Sequence, residues 1–174
     1  MDTNDHKHSI MKKAGIFYAS STGHTAKVAH KIAAALGVPE DDVHNVAETA
    51  PSVLGDYELS ILGSPTYASG NMQYTMEDFV DGASALDLKG HRLAFFGLGD
   101  ETMNLSFCSA VGDMAKAMSP TGAEQVGQFD AKGYVFDTTE AEIAPGVYAG
   151  LMLDEVNHPE LTDTRIAAWV EKLR

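Results

Sequence analysis

Six consecutive residues, Ser20-Ser21-Thr22-Gly23-His24-Thr25, set four hydroxyls and a glycine between an apolar run, Ile16-Phe17-Tyr18-Ala19, and a helical pattern carrying Val28, Ile32 and Leu36. That order predicts a strand, a tight polar turn and a helix start. A helix N-terminus exposes unpaired N–H groups and a partial positive charge, which together hold a phosphate. Hydroxyl donors around those amides complete the cradle. The turn has neither the Gly-Lys-Ser/Thr of a Walker A loop nor the G-x-G-x-x-G of dinucleotide folds. Without Lys or Arg, it suits a terminal monophosphate better than a triphosphate–Mg²⁺ complex. A Ser/Thr-rich helix cap with no ligand is the competing reading of these residues taken alone.

Similar polar loops recur later in the chain. An apolar run, Leu59 to Gly63, leads into Ser64-Pro65-Thr66-Tyr67-Ala68-Ser69-Gly70, and Leu93–Phe96 leads into Gly97-Leu98-Gly99-Asp100 and on to Cys108. The elements that must position these loops can be read in order. Ala14–Ala19 is a strand, apolar on both faces as a buried parallel strand is. Thr22 to Leu36 is a helix, stopped by Gly37 with Pro39 beyond. Val43–Val46 is a short strand, and Pro51–Leu54 a short or irregular helix. Met72, Met76, Phe79, Val80 and Ala83 recur at helical spacing, as do Phe107, Val111, Met114 and Met118. Gln125–Phe129 reads as a weak strand, Tyr148–Leu153 as an apolar run, and Thr162-Asp163 as the cap of a final helix carrying Ile166, Trp169, Val170 and Leu173.

This alternation predicts an α/β fold: a doubly wound, open, five-stranded parallel sheet with helices on both faces. Ligands of such sheets bind beyond the carboxyl ends of the strands, where the strand order reverses. All three polar loops belong at those ends. The stretch 128–147 carries no clear element, and an unstructured length of that kind is usually functional or a partner surface.

Composition narrows the partners. Among 174 residues, 12 basic against 25 acidic side chains leave a net charge of −13, which opposes binding to nucleic acid or an anionic membrane. It mildly favours docking onto a basic partner. One cysteine, Cys108, excludes an internal disulfide and a Cys-rich metal site. No apolar run approaches membrane-spanning length, and the cytoplasm is the expected compartment. Residues 1–10, with His6 and His8, read as a disordered extension or cloning remnant, and 11–174 as a single domain.

The chain resembles a flavodoxin of the long-chain type, in which an insertion divides the fifth strand. The likeness runs from about Ala14 to Leu173 and rests on Ser20–Thr25, Gly63-Ser64-Pro65-Thr66-Tyr67, Phe95-Phe96-Gly97-Leu98-Gly99-Asp100 and Gly150-Leu151-Met152-Leu153-Asp154-Glu155. The resemblance implies non-covalently bound FMN and a low-potential carrier that moves single electrons between redox enzymes. It implies a phosphate held by the Ser20, Thr22 and Thr25 hydroxyls and the amides from Ser21 through Gly23 and His24 to Thr25, with Thr66 adding a hydroxyl. Tyr67, after Pro65, would lie on one isoalloxazine face. Ala68 or a neighbour would offer a carbonyl to flavin N5–H, with Gly70 giving that loop freedom to turn.

In the third loop, the resemblance makes Asp100 the acceptor for flavin N3–H, beside Leu98 and Gly99. Phe107-Cys108 would point a backbone amide at flavin O2. The chain departs from the family where a tyrosine is usual, since Glu101-Thr102-Met103-Asn104-Leu105-Ser106 contains no aromatic residue. Either Met103 or Leu105 covers the second ring face, or the ring is more exposed. Asp154, at the last strand end, would close the site or serve as a solvated cap. The implied partners are basic-faced enzymes such as a flavodoxin/ferredoxin–NADP reductase, a pyruvate–flavodoxin oxidoreductase or a nitrogenase system, met by a monomer.

Two other readings compete. An FMN-dependent NAD(P)H:quinone reductase shares the fold but needs room for a second ligand. A receiver-like signalling module needs clustered acids after the first strand and a Lys ending the fifth; Ser20-Ser21 and Leu153-Asp154 stand there instead.

Overall fold

The structure is a computed structural model and describes residues 11–67, 69–103 and 106–174. In chain order the elements are β1 (Lys12–Tyr18), α1 (His24–Leu36), β2 (Val43–Asn45), β3 (Tyr57–Pro65), α2 (Tyr74–Ala83), β4 (Arg92–Leu98), α3 (Ser109–Met118), β5 (Glu124–Gln125), β6 (Glu142–Ala144), β7 (Val147–Tyr148), β8 (Leu151–Leu153) and α4 (Pro159–Glu171). Short 3₁₀ turns, including Pro51–Asp56, fill the gaps.

The main sheet is parallel in the order β2-β1-β3-β4, and β4 carries two further strands on its outer edge. Arg92 and Leu93 pair with Glu124 and Gln125 of β5, while Phe96, Gly97 and Leu98 pair with Leu151, Met152 and Leu153 of β8. β5 and β8 are therefore the two halves of one fifth strand, and the residues between them are the insertion. The chain crosses from β1 to β2 on one side and to β3 on the other. The sheet's reversal thus lies between β1 and β3, where Ala19 N–H donates to Gly63 O at 2.9 Å.

Strand residues alternate between two apolar layers, as the period of 2 demands. Ile16, Ile61, Ala94 and Phe96 pack with Val28 and Ile32 of α1 and with Ile166 and Trp169 of α4. Phe17, Leu62 and Phe95 pack on the other face with Met76 and Phe79 of α2 and Val111 and Met114 of α3. The buried Trp169 indole donates to Gly127 O at 2.7 Å, so its polar edge is satisfied. Gly63 is required where it stands, because a Cβ there would lie 2.0 Å from Cζ of Phe96.

Three sequence expectations need correction. The stretch 128–147 is not structureless: β6 and β7 form an antiparallel hairpin, and Tyr148 bridges to Phe129. Tyr148 therefore belongs to that hairpin and not to the last strand. The pairing of the weak strand Gln125–Phe129 is confined to Glu124–Gln125, because Gly127, with φ +80°, turns the chain away from β4. The last helix begins at Pro159, so Thr162-Asp163 lie inside it. Proline at a first helical position loses no hydrogen bond and presets φ. The expected terminal extension, 1–10, lies outside the described residues.

Candidate functional site

The turn after β1 is built as an anion nest. Gly23 occupies the N-cap of α1 with φ +93°, and no side chain caps that helix or places an acid in its first turn. An L-residue is strained at that φ, and no atom lies within 4 Å of where its Cβ would stand. The amides there are consequently reachable from outside. Ser20 Oγ accepts from Gly23 N–H at 3.0 Å and pins the turn.

A cleft of about 250 Å³ opens over this nest, lined by Ser21, Thr22, His24 and Thr25 from the first loop, Pro65, Thr66 and Tyr67 from the second, and Leu98, Gly99 and Asp100 from the third. Glu155 and Val156 complete the lining. Sequence reasoning missed these two; their only signal was their position two and three residues past the end of the last strand. The first and second loops are cross-linked by a hydrogen bond between Ser21 Oγ and Tyr67 Oη at 2.9 Å. Tyr67 is 39% exposed, with its phenol end held by that bond. Gly70 N–H donates to Tyr67 O at 2.8 Å, and Gly70 has φ +92°, so this tight turn needs a glycine. Thr66 Oγ1 accepts from Ala110 N–H at 3.3 Å, which ties the second loop to the start of α3 and leaves its own proton to donate.

Asp100 stands in the third loop, just past the end of β4. Its Oδ1 accepts from Thr102 N–H at 2.9 Å, Thr102 Oγ1 at 2.7 Å and Asn157 Nδ2 at 2.8 Å. Burial opposes its charge, but the Thr102 and Asn157 bonds outweigh it and hold the carboxyl below its ordinary range. Asp154 is fully buried behind the cleft. Its two oxygens accept from the amides of Glu101, Val156 and Asn157 and from Asn157 Nδ2. It therefore braces two rim loops and is neither a solvated cap nor part of the lining.

Phe107 and Cys108 also sit away from the lining. Phe107 is buried and stacks on Phe136 of the insertion, with ring centroids 5.0 Å apart. Cys108 caps α3 in the left-handed region, at φ 50°. Its buried thiol faces Gly97 O and Leu153 O, and burial pushes its pKa upward, which keeps it an unreactive thiol. Met103 is 66% exposed and outside the lining. Ala68, Asn104 and Leu105 lie outside the described residues.

The cleft thus combines the amides and hydroxyls of the first loop with apolar surface from Pro65, Tyr67, Leu98 and Val156. That donor set fits a group with a terminal phosphate and a flat ring, and it contains no metal-ligating cluster among the described residues.

Known proteins are similar to this chain in sequence and fold. The family model described as Flavodoxin matches residues 16–169. Flavodoxin 1 of Escherichia coli is 35% identical over 164 residues, covering 94% of this chain and 93% of its own. A flavodoxin of Picosynechococcus is 36% identical over 166 residues, covering 94% and 97%. Among solved structures, Fusobacterium nucleatum flavodoxin bound to flavin mononucleotide superposes with a TM-score of 0.83 at 30% identity, over 94% of this chain and 97% of that one.

Proposed function

The chain belongs to the flavodoxin family, and from that premise we infer that the cleft at the strand ends holds FMN, phosphate on the first loop and ring against Tyr67. FMN is its cofactor, and the protein is an electron carrier that works with redox partners. The observation that carries the residue-level reading is the uncapped, acid-free start of α1 with open space at Gly23, joined to Tyr67 through Ser21.

When bound, the flavin supplies the electron chemistry. The chain's residues do the rest. The amides at the start of α1 and the hydroxyls of Ser21, Thr22 and Thr25 bind the phosphate. Thr66 supports them from the second loop. Tyr67 and Leu98 present apolar surface to the ring, and Val156 contributes at the rim. Asp100, kept ionised by its donors, offers an acceptor to a ring N–H. Of the residues expected at the site, Phe107, Cys108 and Asp154 act from behind it, by packing and bracing the loops.

The partners fit the charge. A protein at −13 is steered toward basic-faced enzymes, such as a flavodoxin/ferredoxin–NADP reductase or a pyruvate–flavodoxin oxidoreductase. A cytoplasmic monomer is the form in which this reading has it work. No helix among the described residues is long and apolar enough to cross a membrane.

The phosphate assignment is tested by titrating apoprotein with FMN and with riboflavin, following flavin fluorescence. Two or more charge-assisted hydrogen bonds give FMN an advantage of about 100-fold or more. Equal affinity for the two flavins would remove the first loop from the site.

A further inference from the structure

His158 stands at the N-cap of α4, just outside the cleft lining, and its ring joins two segments that the cofactor uses. Its Nε2 lies 2.7 Å from Glu101 Oε1, and its Nδ1 lies 3.2 Å from Glu160 Oε1. Carboxylate oxygens only accept, so both contacts are hydrogen bonds only when both ring nitrogens carry protons. A neutral imidazole has one N–H and turns a lone pair toward the other carboxylate.

Glu101 is the hub on the receiving side. Its Oε2 accepts from Val135 N–H of the insertion at 2.7 Å, and its own amide donates to Asp154 Oδ2 at 2.9 Å. It follows Asp100, which lines the cleft, and Asn157 beside His158 donates to Asp100 Oδ1 at 2.8 Å. One imidazole thus ties the start of α4 and, through Glu101, the insertion to the third flavin loop.

The groups facing the ring come from each packed element. Glu101 belongs to the third loop and Glu160 to α4. Tyr134 of the insertion has its ring centroid 5.7 Å away, with Arg165 stacked on Tyr134 at 4.8 Å. Asp154 O accepts the His158 amide at 3.0 Å. Burial pushes Tyr134 up to about 12, so it stays neutral across the working range. The hydrogen bonds to Glu101 and Glu160 raise His158 above its ordinary value, so it holds its proton to higher pH.

We propose that His158 is a positioning residue for the cofactor: as an imidazolium it clamps Glu101 and sets the third loop against FMN, and deprotonation loosens that loop and weakens FMN binding. This rests on the FMN reading above. The clamp is complete below the raised His158 value and is lost as pH rises through it.

The test measures the FMN dissociation constant of the full chain from about pH 5.5 to about pH 9, a range that brackets an imidazole titration. Flavin fluorescence reports it. The wild type is expected to bind about three- to tenfold more weakly on the alkaline side of the step, the loss of one charge-assisted hydrogen bond. A separate change near pH 6, from the phosphate's own proton, is common to all variants. His158→Gln keeps only that change. Glu160→Gln, at an exposed residue away from the third loop, moves the alkaline step to lower pH. Imidazole NMR of His158 in the FMN-free protein reads the same shift without the cofactor. Identical profiles for wild type and His158→Gln, with FMN bound in both, would overturn the proposal. Failure of the wild type to bind FMN at any pH would instead overturn the cofactor reading.

Discussion

Gly63 and Phe96 show how tightly single residues are fixed beneath the site. Gly63→Ala would set a Cβ 2.0 Å from the Phe96 ring, and that ring is fully buried in the layer packed with α1 and α4 and cannot simply rotate away. The expected cost is about 1–3 kcal/mol, read as a lower urea midpoint, with partial recovery in the Gly63→Ala/Phe96→Leu double variant. Additive losses in the double variant would show that the clash is not the cause. His44 gives a pH prediction. It stacks on Phe17 with centroids 5.0 Å apart and meets Tyr57 Oη at 2.7 Å, and burial lowers its pKa below 6.5. The unfolded chain therefore takes up this proton first. The stability His44 contributes is complete above about pH 6.5 and is lost as pH falls toward the depressed folded value. The opposite holds for His158, whose raised pKa gives stability on the acid side. Urea midpoints should fall between about pH 6.5 and pH 5 in the wild type and fall less in His44→Gln. The strand–turn–helix course of the first loop was legible at this scale, because hydroxyls and a glycine between an apolar run and a helical pattern mark a turn. The buried role of Asp154 was not, since a carboxylate after a strand looks the same whether it caps the strand in water or braces two loops.

At the level of elements, Arg165 is one of several contacts that hold the insertion, beside the Val135–Glu101 bond and the Phe107–Phe136 stack. Arg165 of α4 donates to Lys132 O at 2.7 Å and to Asp130 O, and its guanidinium stacks on Phe129 at 5.1 Å and Tyr134 at 4.8 Å. Arg165→Leu removes these bonds and leaves two partly buried carbonyls to find other donors. A loss of about 2–3 kcal/mol is expected, with faster hydrogen exchange confined to residues near 130–137. Protection unchanged in that segment would show that its other contacts hold it without Arg165. The strand-helix alternation behind this arrangement could be read because each buried parallel strand is a continuous apolar run. The hairpin β6–β7 could not, because Glu142, Ile143 and Ala144 are all exposed and carry no alternation. The start of α4 was misread for a related reason. Pro159 and Glu160 look like loop residues until proline is seen to fit the first helical position.

For the whole molecule, one physical arrangement organises function: a sheet whose order reverses beside β1 opens a cleft there, and the chain lines that cleft with an anion nest and an aromatic ring joined by the Ser21–Tyr67 bond. The doubly wound parallel sheet and the places of the three loops at its strand ends could be foreseen from sequence. Glu155 and Val156 could not, since nothing in their types marks them, and Val156 is 64% exposed. The central claim is that the bound flavin passes electrons singly to docked partners. Stepwise anaerobic reduction of the FMN-loaded protein with dithionite, followed by visible absorption, tests it most directly. Two resolved one-electron stages are predicted. A single two-electron stage, with rapid turnover of NADPH and a quinone by the protein alone, would contradict the account.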